Sequence, residues 1–263
     1  MKFMAQKKNK EILLALIPFL FLFVLWNIVS YFNWMPNWFL PSPLKVFITF
    51  GGLIKDGTVL KIVTDTALNL IPPYLLAVVT SIIFGILIGV NTTARKIFFP
   101  FISTLYPIPS LAWLPFIIII FGFTIQSIWI LLFISSFLKM IYNMIAGVRG
   151  VNTIWILVAK NLGLNKWQII YKVIIPGALP NLITGMRIGF GSIWRSVIGA
   201  EMLVTGAGGL GKFIWTSQWT YSFDKVLVGI LLIAIIGLTI ELVVFKKIEA
   251  ITLEKWGVVS QET

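Results

Sequence analysis

The 263-residue chain contains no cysteine and no histidine. Their absence excludes disulfides, thiolate metal sites, cysteine nucleophiles and imidazole general bases. Paired aspartates within an apolar segment, which an intramembrane enzyme could use, are missing as well. We therefore expect a chain that is not an enzyme, binds no metal and has no catalytic residues.

Charged residues are also scarce. They make up 11% of the chain, against roughly 25% in an average soluble domain, while 59% of the residues are hydrophobic. This composition cannot cover a soluble core of this size, so we predict an all-α, polytopic integral membrane protein. The formal net charge is +12, and an excess of basic residues is expected in the loops of a membrane protein. The chain has no polar domain with a basic stripe, so we do not expect nucleic acid as a partner.

Apolar runs of about 20 residues with few or no charges predict six transmembrane helices. A signal peptide is the alternative for the first run, but its apolar part is too long and no A-x-A site follows promptly. Prolines predict a kink at Pro72-Pro73 in the second span and a broken or bent third span. The predicted spans cover residues 12–32, 68–90, 99–121, 126–146, 182–203 and 226–245.

Basic residues cluster on the side of the predicted spans that carries the N-terminus, for example at Lys7, Lys8, Arg95 and Lys96. By the positive-inside rule this bias places both termini in the cytoplasm. We expect a multi-pass protein of the cell (plasma or inner) membrane in contact with the lipid bilayer.

Polar and apolar residues are interleaved in residues 149–172, between the fourth and fifth predicted spans, and the apolar residues recur every three or four positions. This pattern predicts an amphipathic cytoplasmic helix that ends before Pro176 and Pro180. Its apolar ridge can dock into the groove of a partner, or it can lie on the membrane surface; the pattern alone leaves both possibilities open.

Three charged residues, Arg187, Arg195 and Glu201, lie in the fifth predicted span. Charges at membrane depth usually face a partner or water, so these residues are candidates for the lining of an anion path. Structural pairing, or placement of Arg187 at the end of the helix, is the alternative. Gly185 and Gly189 in the same span predict close packing against another helix, from the same chain or from a second copy.

The segment Gly206–Lys212 nearly matches a phosphate-binding loop, but Phe213 stands where a Ser or Thr should hold magnesium. No buried strand precedes the segment, and the predicted topology places it outside the cytoplasm. We therefore expect this chain to bind no ATP.

Several motifs together resemble the binding-protein-dependent ABC importer permeases, in the branch for nitrate, sulfonate, taurine and bicarbonate. Ala159 to Gly163, followed by Pro176 and Pro180, is similar to the "EAA loop" of that family, with Leu157 in place of the usual Glu. Further matches lie at residues 40–43, 106–109, 113–115, 121–122, 147–152, 200–202 and 208–211.

The resemblance implies a type I ABC importer permease fold with three parts: an N-terminal helix and extracytoplasmic linker (1–58), a transmembrane domain (59–247) and a cytoplasmic tail (248–263). A coupling helix at about residues 152–172 lies within the transmembrane domain. The resemblance also implies a homodimer, two ABC ATPase subunits that use ATP and Mg, and an extracytoplasmic solute-binding protein.

For the site, the resemblance implies that a coupling loop docks the ATPase. Pro176 and Pro180 would form an elbow into the fifth span, and Ala159 and Gly163 would let the loop helix approach the ATPase closely. A small anion such as sulfonate, taurine or nitrate is the expected solute, and a vitamin or pyrimidine precursor is the alternative within the family. A secondary transporter is the alternative from another class, although no internal repeat is evident. The implied docking residues are Ala159, Leu162, Gly163, Leu164, Trp167, Pro176 and Pro180.

Overall fold

The computed structural model describes residues 2–204, 206–250 and 252, and these residues form helices and connecting turns without any strand. The prediction of an all-α chain is confirmed. We number the helices in chain order: α1 (Lys2–Tyr31), α2 (Pro43–Lys55), α3 (Thr58–Val90), α4 (Thr92–Leu105), α5 (Ser110–Phe121), α6 (Ile125–Gly150), α7 (Thr153–Asn161), α8 (Lys166–Leu203), α9 (Leu210–Trp219) and α10 (Phe223–Glu249).

Four helices, α3, α6, α8 and α10, are long and apolar enough to cross a membrane. Helices α4 and α5 qualify together as a fifth span, bent by 94° at the break between them. The prediction that the third span is broken is thereby confirmed. In α1 the apolar stretch Ile17–Tyr31 is shorter than the 18 residues that the other spans reach. A first span over residues 12–32 therefore stays a prediction.

Two helices extend well beyond the predicted spans. Helix α3 begins at Thr58 rather than near residue 68, and α8 begins at Lys166 rather than near residue 182. Polar residues end an apolar run but do not end a helix, whose hydrogen bonds are made by the backbone. Helix α3 also continues through Pro72 and Pro73 as one helix.

The chain divides into two compact units, residues 1–60 with 213–232 and residues 61–212 with 233–263. In the smaller unit, Trp26 Nε1 donates to the carbonyl of Pro41 at 2.9 Å, and Thr49 Oγ1 donates to Asp224 Oδ2 at 2.7 Å. The predicted N-terminal segment thus shares its unit with residues 213–232. Most of the predicted tail, residues 248–263, lies outside the described residues.

The larger unit is built around the pair α6 and α8. Gly189 of α8 lies so close to α6 that a Cβ there would be 2.6 Å from Met140 Cε, and a Cβ on Gly185 would be 3.0 Å from Asn143 Cβ. The glycine pair therefore packs against a helix of the same chain. Apolar side chains from α3, α5, α6 and α8 fill the core around this contact: Leu70, Leu114, Ile117, Ile128, Leu131, Leu132, Phe190, Ile193 and Val197.

Candidate coupling loop and translocation cavity

Helix α7 ends in a sharp reversal at Gly163. The Gly163 N–H donates to the Lys160 carbonyl at 2.9 Å, and the Leu164 N–H donates to the Ala159 carbonyl at 3.1 Å. This pair of bonds is the Schellman motif, which requires a left-handed backbone at its second-last residue, here Gly163. The φ angle of Gly163 is +78°, a conformation that glycine adopts without strain.

Helix α8 begins three residues later with a capping box. The Asn165 side chain accepts from the Gln168 N–H at 2.9 Å, and the Gln168 side chain accepts from the Asn165 N–H at 2.8 Å. These two bonds satisfy backbone N–H groups that a helix start leaves without partners. Local sequence thus determines both sides of the Gly163 turn.

The prediction of one amphipathic helix that ends before Pro176 is wrong. The segment is divided at Gly163, and α8 continues through Pro176 and Pro180 to Leu203. A π turn at Ile170–Ile174 precedes Pro176 and shifts the hydrogen-bond pattern where proline has no N–H to donate. The elbow therefore lies at Gly163, and the two half-buried prolines are part of the long helix.

Ala159, an implied docking residue, is 5% exposed and packs inside the larger unit. Leu164 is half-buried against the same apolar cluster. The small Ala159 side chain therefore serves the close packing of α7 on its own unit, and its role in docking stays a prediction. The cluster consists of Met144, Val148, Val151, Ala159, Ile169, Ile174 and Ala178.

The loop also exposes large apolar side chains on both sides of the Gly163 turn. Leu162 is 73% exposed and Trp167 is 76% exposed. Leu157, Val158 and Tyr171 are exposed as well. We call these five residues the loop surface. Exposed apolar clusters of this kind mark a contact with a partner or a membrane.

A partly open cavity of about 270 Å³, with both polar and apolar walls, lies beside the break between α4 and α5. It is lined by residues 107–111 at the break and the start of α5, by Lys139 of α6, and by Ser192, Arg195 and Ser196 of α8. Of the three candidate path residues, only Arg195 lines this cavity.

Four serine hydroxyls form a connected cluster at the cavity. Ser110 donates to Ser135 at 2.9 Å, and Ser135 Oγ lies 2.9 Å from Ser192 Oγ and 3.0 Å from Ser196 Oγ. Ser135, Ser192 and Ser196 are buried. Hydroxyl groups can both donate and accept, so this cluster can adapt to a polar ligand.

Lys139, near the middle of α6, was missed by the sequence analysis. Its ammonium group donates to the Tyr106 carbonyl at the break and lies 3.9 Å from the centre of the Tyr106 ring. The signal was present, because Lys139 is the one charged residue in the predicted span 126–146. The sequence analysis assigned it no role.

Arg187 does not join the cavity. Its Nε donates to Glu241 Oε1 at 2.6 Å, and its Nη1 lies 3.4 Å from Glu249 Oε2. All three side chains are about 40% exposed. Arg187 therefore forms structural ion pairs, as the alternative interpretation of this residue expected.

Glu201 is fully buried and holds the glycine-rich loop onto α3. Its carboxylate accepts hydrogen bonds from Thr66 Oγ1 at 3.1 Å, Asn69 Nδ2 at 2.9 Å and the Gly211 N–H at 2.9 Å. Gly209, with φ +114°, brings its backbone so close that any Cβ would overlap the carboxylate. Glu201 is thus a structural anchor with all its contacts inside the unit.

Comparison with known proteins places this architecture among transport proteins. The family described as "binding-protein-dependent transport system inner membrane component" matches residues 81–245. A taurine transport system permease protein of Escherichia coli is 32% identical over 239 residues, which cover 89% of this chain and 86% of the relative.

A nitrate import permease protein of Leptolyngbya laminosa is 32% identical over 171 residues, covering 65% of this chain and 61% of the relative. Among solved structures, a chain of the inward-facing MetNI methionine ABC transporter matches with a TM-score of 0.56 at 18% identity. That match covers 73% of this chain and 96% of the other chain, and it shows a shared fold.

Proposed function

Because the chain belongs to the family of binding-protein-dependent transport system inner membrane components, which are permease subunits of ABC importers, we propose that it carries a small oxyanion across the membrane when driven by an ATPase docked at its loop surface. The proposed solute class follows the taurine and nitrate relatives, since a sulfonate and a nitrate both present several negatively charged oxygens to a binding site. A vitamin or pyrimidine precursor is the alternative solute.

The single observation that supports ATPase docking is the loop surface. Leu162 and Trp167 are each more than 70% exposed, although they flank a rigid, hydrogen-bonded turn. Large apolar side chains held on a rigid element and surrounded by polar residues are typical of the anchors of a protein interface. Membrane lipid is the competing occupant, and the experiment below separates the two.

Motion of the docked ATPase would reach the membrane through α8. This helix is continuous from Lys166, next to the docking turn, to Leu203. Its first turns pack through Ile169 and Ile174 on the cluster that also buries Ala159 of α7. A push on the turn therefore moves α7 and the start of α8 together, and a packed helix pair changes between discrete arrangements rather than bending gradually.

In this proposal the chain itself is not catalytic. ATP and Mg are bound and used by two partner ATPase subunits, and this chain binds no cofactor. Two copies of the chain enclose the path, an extracytoplasmic solute-binding protein delivers the oxyanion, and both termini face the cytoplasm. The charge bias of the loops supports this orientation.

The test is co-purification of the full-length tagged chain with its ATPase from native membranes in a mild detergent. Replacing both Leu162 and Trp167 with Ser should reduce the retained ATPase about tenfold or more, because buried aromatic anchors dominate interface affinity. Trp219→Ser is the matched control, since Trp219 is 69% exposed and the predicted topology places it across the membrane from the loop.

Retention of the ATPase by the double variant would contradict docking at the loop surface. Uptake of taurine or nitrate by proteoliposomes that contain the purified chain alone would contradict the importer mechanism and favour a secondary transporter. Loss of retention in the Trp219→Ser control would indicate general damage to the chain, and docking would then be tested with Leu162→Ser alone.

A further inference from the structure

We infer that the cavity lined by Lys139 and Arg195 is a binding site for one small oxyanion, and that these two side chains recognise the solute during its passage. The inference deepens the proposed function and rests on it. Both residues belong to membrane-spanning helices, Lys139 to α6 and Arg195 to α8, and the break between α4 and α5 completes the lining of the site.

The charge of the cavity is the first argument. Two cationic side chains face the same space, and its lining contains no carboxylate. Throughout the described part of the chain, neither Lys139 nor Arg195 has an acidic partner within 4 Å. Arg187, which lies in α8 as Arg195 does, has two acidic partners. Like charges that share a site within a membrane protein repel each other, and a bound anion relieves that repulsion.

The arrangement of hydrogen-bond donors is the second argument. The Lys139 ammonium has three N–H donors, and one of them is used by the Tyr106 carbonyl. That bond and the adjacent Tyr106 ring hold the ammonium in place at the cavity wall. The remaining donors, together with the forked guanidinium of Arg195, match the several acceptor oxygens of a sulfonate or nitrate.

The serine cluster is the third argument. Ser192 and Ser196 line the cavity, and Ser135 connects them to Ser110 at the helix break. The Ser192 hydroxyl is a neutral donor that can turn from Ser135 toward an anion, whereas the Ser196 hydroxyl donates to the Ser192 carbonyl at 2.9 Å. A site in a transport path must release its solute, and a mixture of two cations and rotatable hydroxyls suits weak, reversible binding.

A purely structural role for Lys139 is the rival explanation, because its bond to the Tyr106 carbonyl satisfies an acceptor at the helix break. The two roles differ in what a substitution changes. A structural lysine affects thermal stability, whereas a recognition lysine affects anion binding at unchanged stability when another cation replaces it.

The experiment is saturation-transfer-difference NMR on the full-length chain in detergent, with methanesulfonate as the probe and its neutral analogue dimethyl sulfone as the matched control. We expect a saturable methanesulfonate signal that nitrate and taurine displace, and none from dimethyl sulfone. Lys139→Met and Arg195→Gln should each weaken binding about tenfold or more, as expected when one charged partner of an anion is removed.

Two further variants complete the test. Lys139→Arg keeps the charge and should bind within about threefold of the wild type, while Arg149→Gln, an exposed cation outside the cavity, should leave binding unchanged. Unchanged methanesulfonate binding in the folded Lys139→Met and Arg195→Gln variants would overturn the site. Equal binding of dimethyl sulfone, or no saturable binding by the wild type, would overturn it as well.

ATPase retention, measured on the same preparations, separates this inference from the proposed function. Normal retention with no anion binding contradicts the cavity site and leaves the importer assignment intact. Loss of retention in the wild type contradicts the proposed function, whatever the NMR result. If Lys139→Met lowers only the thermal midpoint while binding persists, the structural role is correct and the recognition role is wrong.

Discussion

Glu201 and Lys139 are both ionisable side chains within membrane-spanning helices, and their surroundings differ. The Glu201 carboxylate is enclosed and accepts from three donors on α3 and α9. Lys139 is half-buried at the wall of an open cavity. A charge with all its partners supplied by the protein is structural, whereas a cation that faces open space with unused donors is available to a ligand.

Replacement of Glu201 should destabilise the protein strongly. Glu201→Leu keeps the volume but leaves the Thr66 hydroxyl and the Gly211 N–H without an acceptor, and it leaves Asn69 Nδ2 only a 3.4 Å contact with the Gly208 carbonyl. Each unsatisfied buried donor costs about 1–3 kcal/mol. We expect the free energy of unfolding to fall by about 3 kcal/mol or more, measured by thermal unfolding in detergent followed by tryptophan fluorescence.

Glu249→Gln is the control for this prediction. Glu249 belongs to a half-exposed ion pair with Arg187, so its loss should change stability by about 0–1 kcal/mol. Equal effects of the two substitutions would contradict the role of Glu201 as an anchor.

Helices α6 and α8 approach each other closely because small residues line their contact. A Cβ at Gly147 of α6 would lie 2.6 Å from Asn181 Cβ and 3.3 Å from the Ala178 carbonyl of α8. Both of these atoms are fixed to the backbone, so neither can move without shifting the helix. The resulting rigid pair is the element that positions Lys139 and Arg195 in the lining of one cavity.

The substitution Gly147→Ala should force α6 and α8 apart and lower the free energy of unfolding by about 1–3 kcal/mol, the usual effect of overpacking. Gly150→Ala, in the same helix but with nothing within 4 Å of the added Cβ, should be neutral or stabilise by up to about 1 kcal/mol. Thermal midpoints of the two variants in the same detergent provide the comparison. A midpoint for Gly147→Ala at or above that of Gly150→Ala would refute the close contact.

The whole molecule lacks native cysteine, which makes its topology directly measurable. The positive-inside bias predicts that the loop around Gly163 faces the cytoplasm and that the segment near Trp219 faces the other side. Lys160 and Trp219 are both exposed, so a cysteine at either position should react with a maleimide that reaches it.

With a membrane-impermeant maleimide, Trp219→Cys should be labelled in intact cells. Lys160→Cys should be labelled only in inside-out vesicles washed with urea to remove peripheral subunits. Native chain, which has no thiol, gives the background. The reverse labelling pattern would place the loop surface outside the cytoplasm, where no ATPase could dock.

Much of the fold was predictable from the sequence. Apolar runs identified the four long helices α3, α6, α8 and α10 and the bent pair α4–α5, because the bilayer imposes length and composition on each span separately. Pro107, Pro109 and Pro115 identified the bent third span. The loop motif identified the family, which the comparisons confirm. The position of the turn could also have been found, since Gly163 and the Asn165 to Gln168 capping box are local signals.

The cavity was decided only by tertiary structure. Its lining comes from the α4–α5 break, α6 and α8, and no spacing along the chain indicates that Lys139 and Arg195 face one space. Arg187, Arg195 and Glu201 belong to one helix, and only the tertiary structure shows that each has different surroundings. Sequence patterns determine what each helix presents to lipid or water, because that preference belongs to one element. Which side chains meet depends on how closely the helices pack, and that depends on all the elements together.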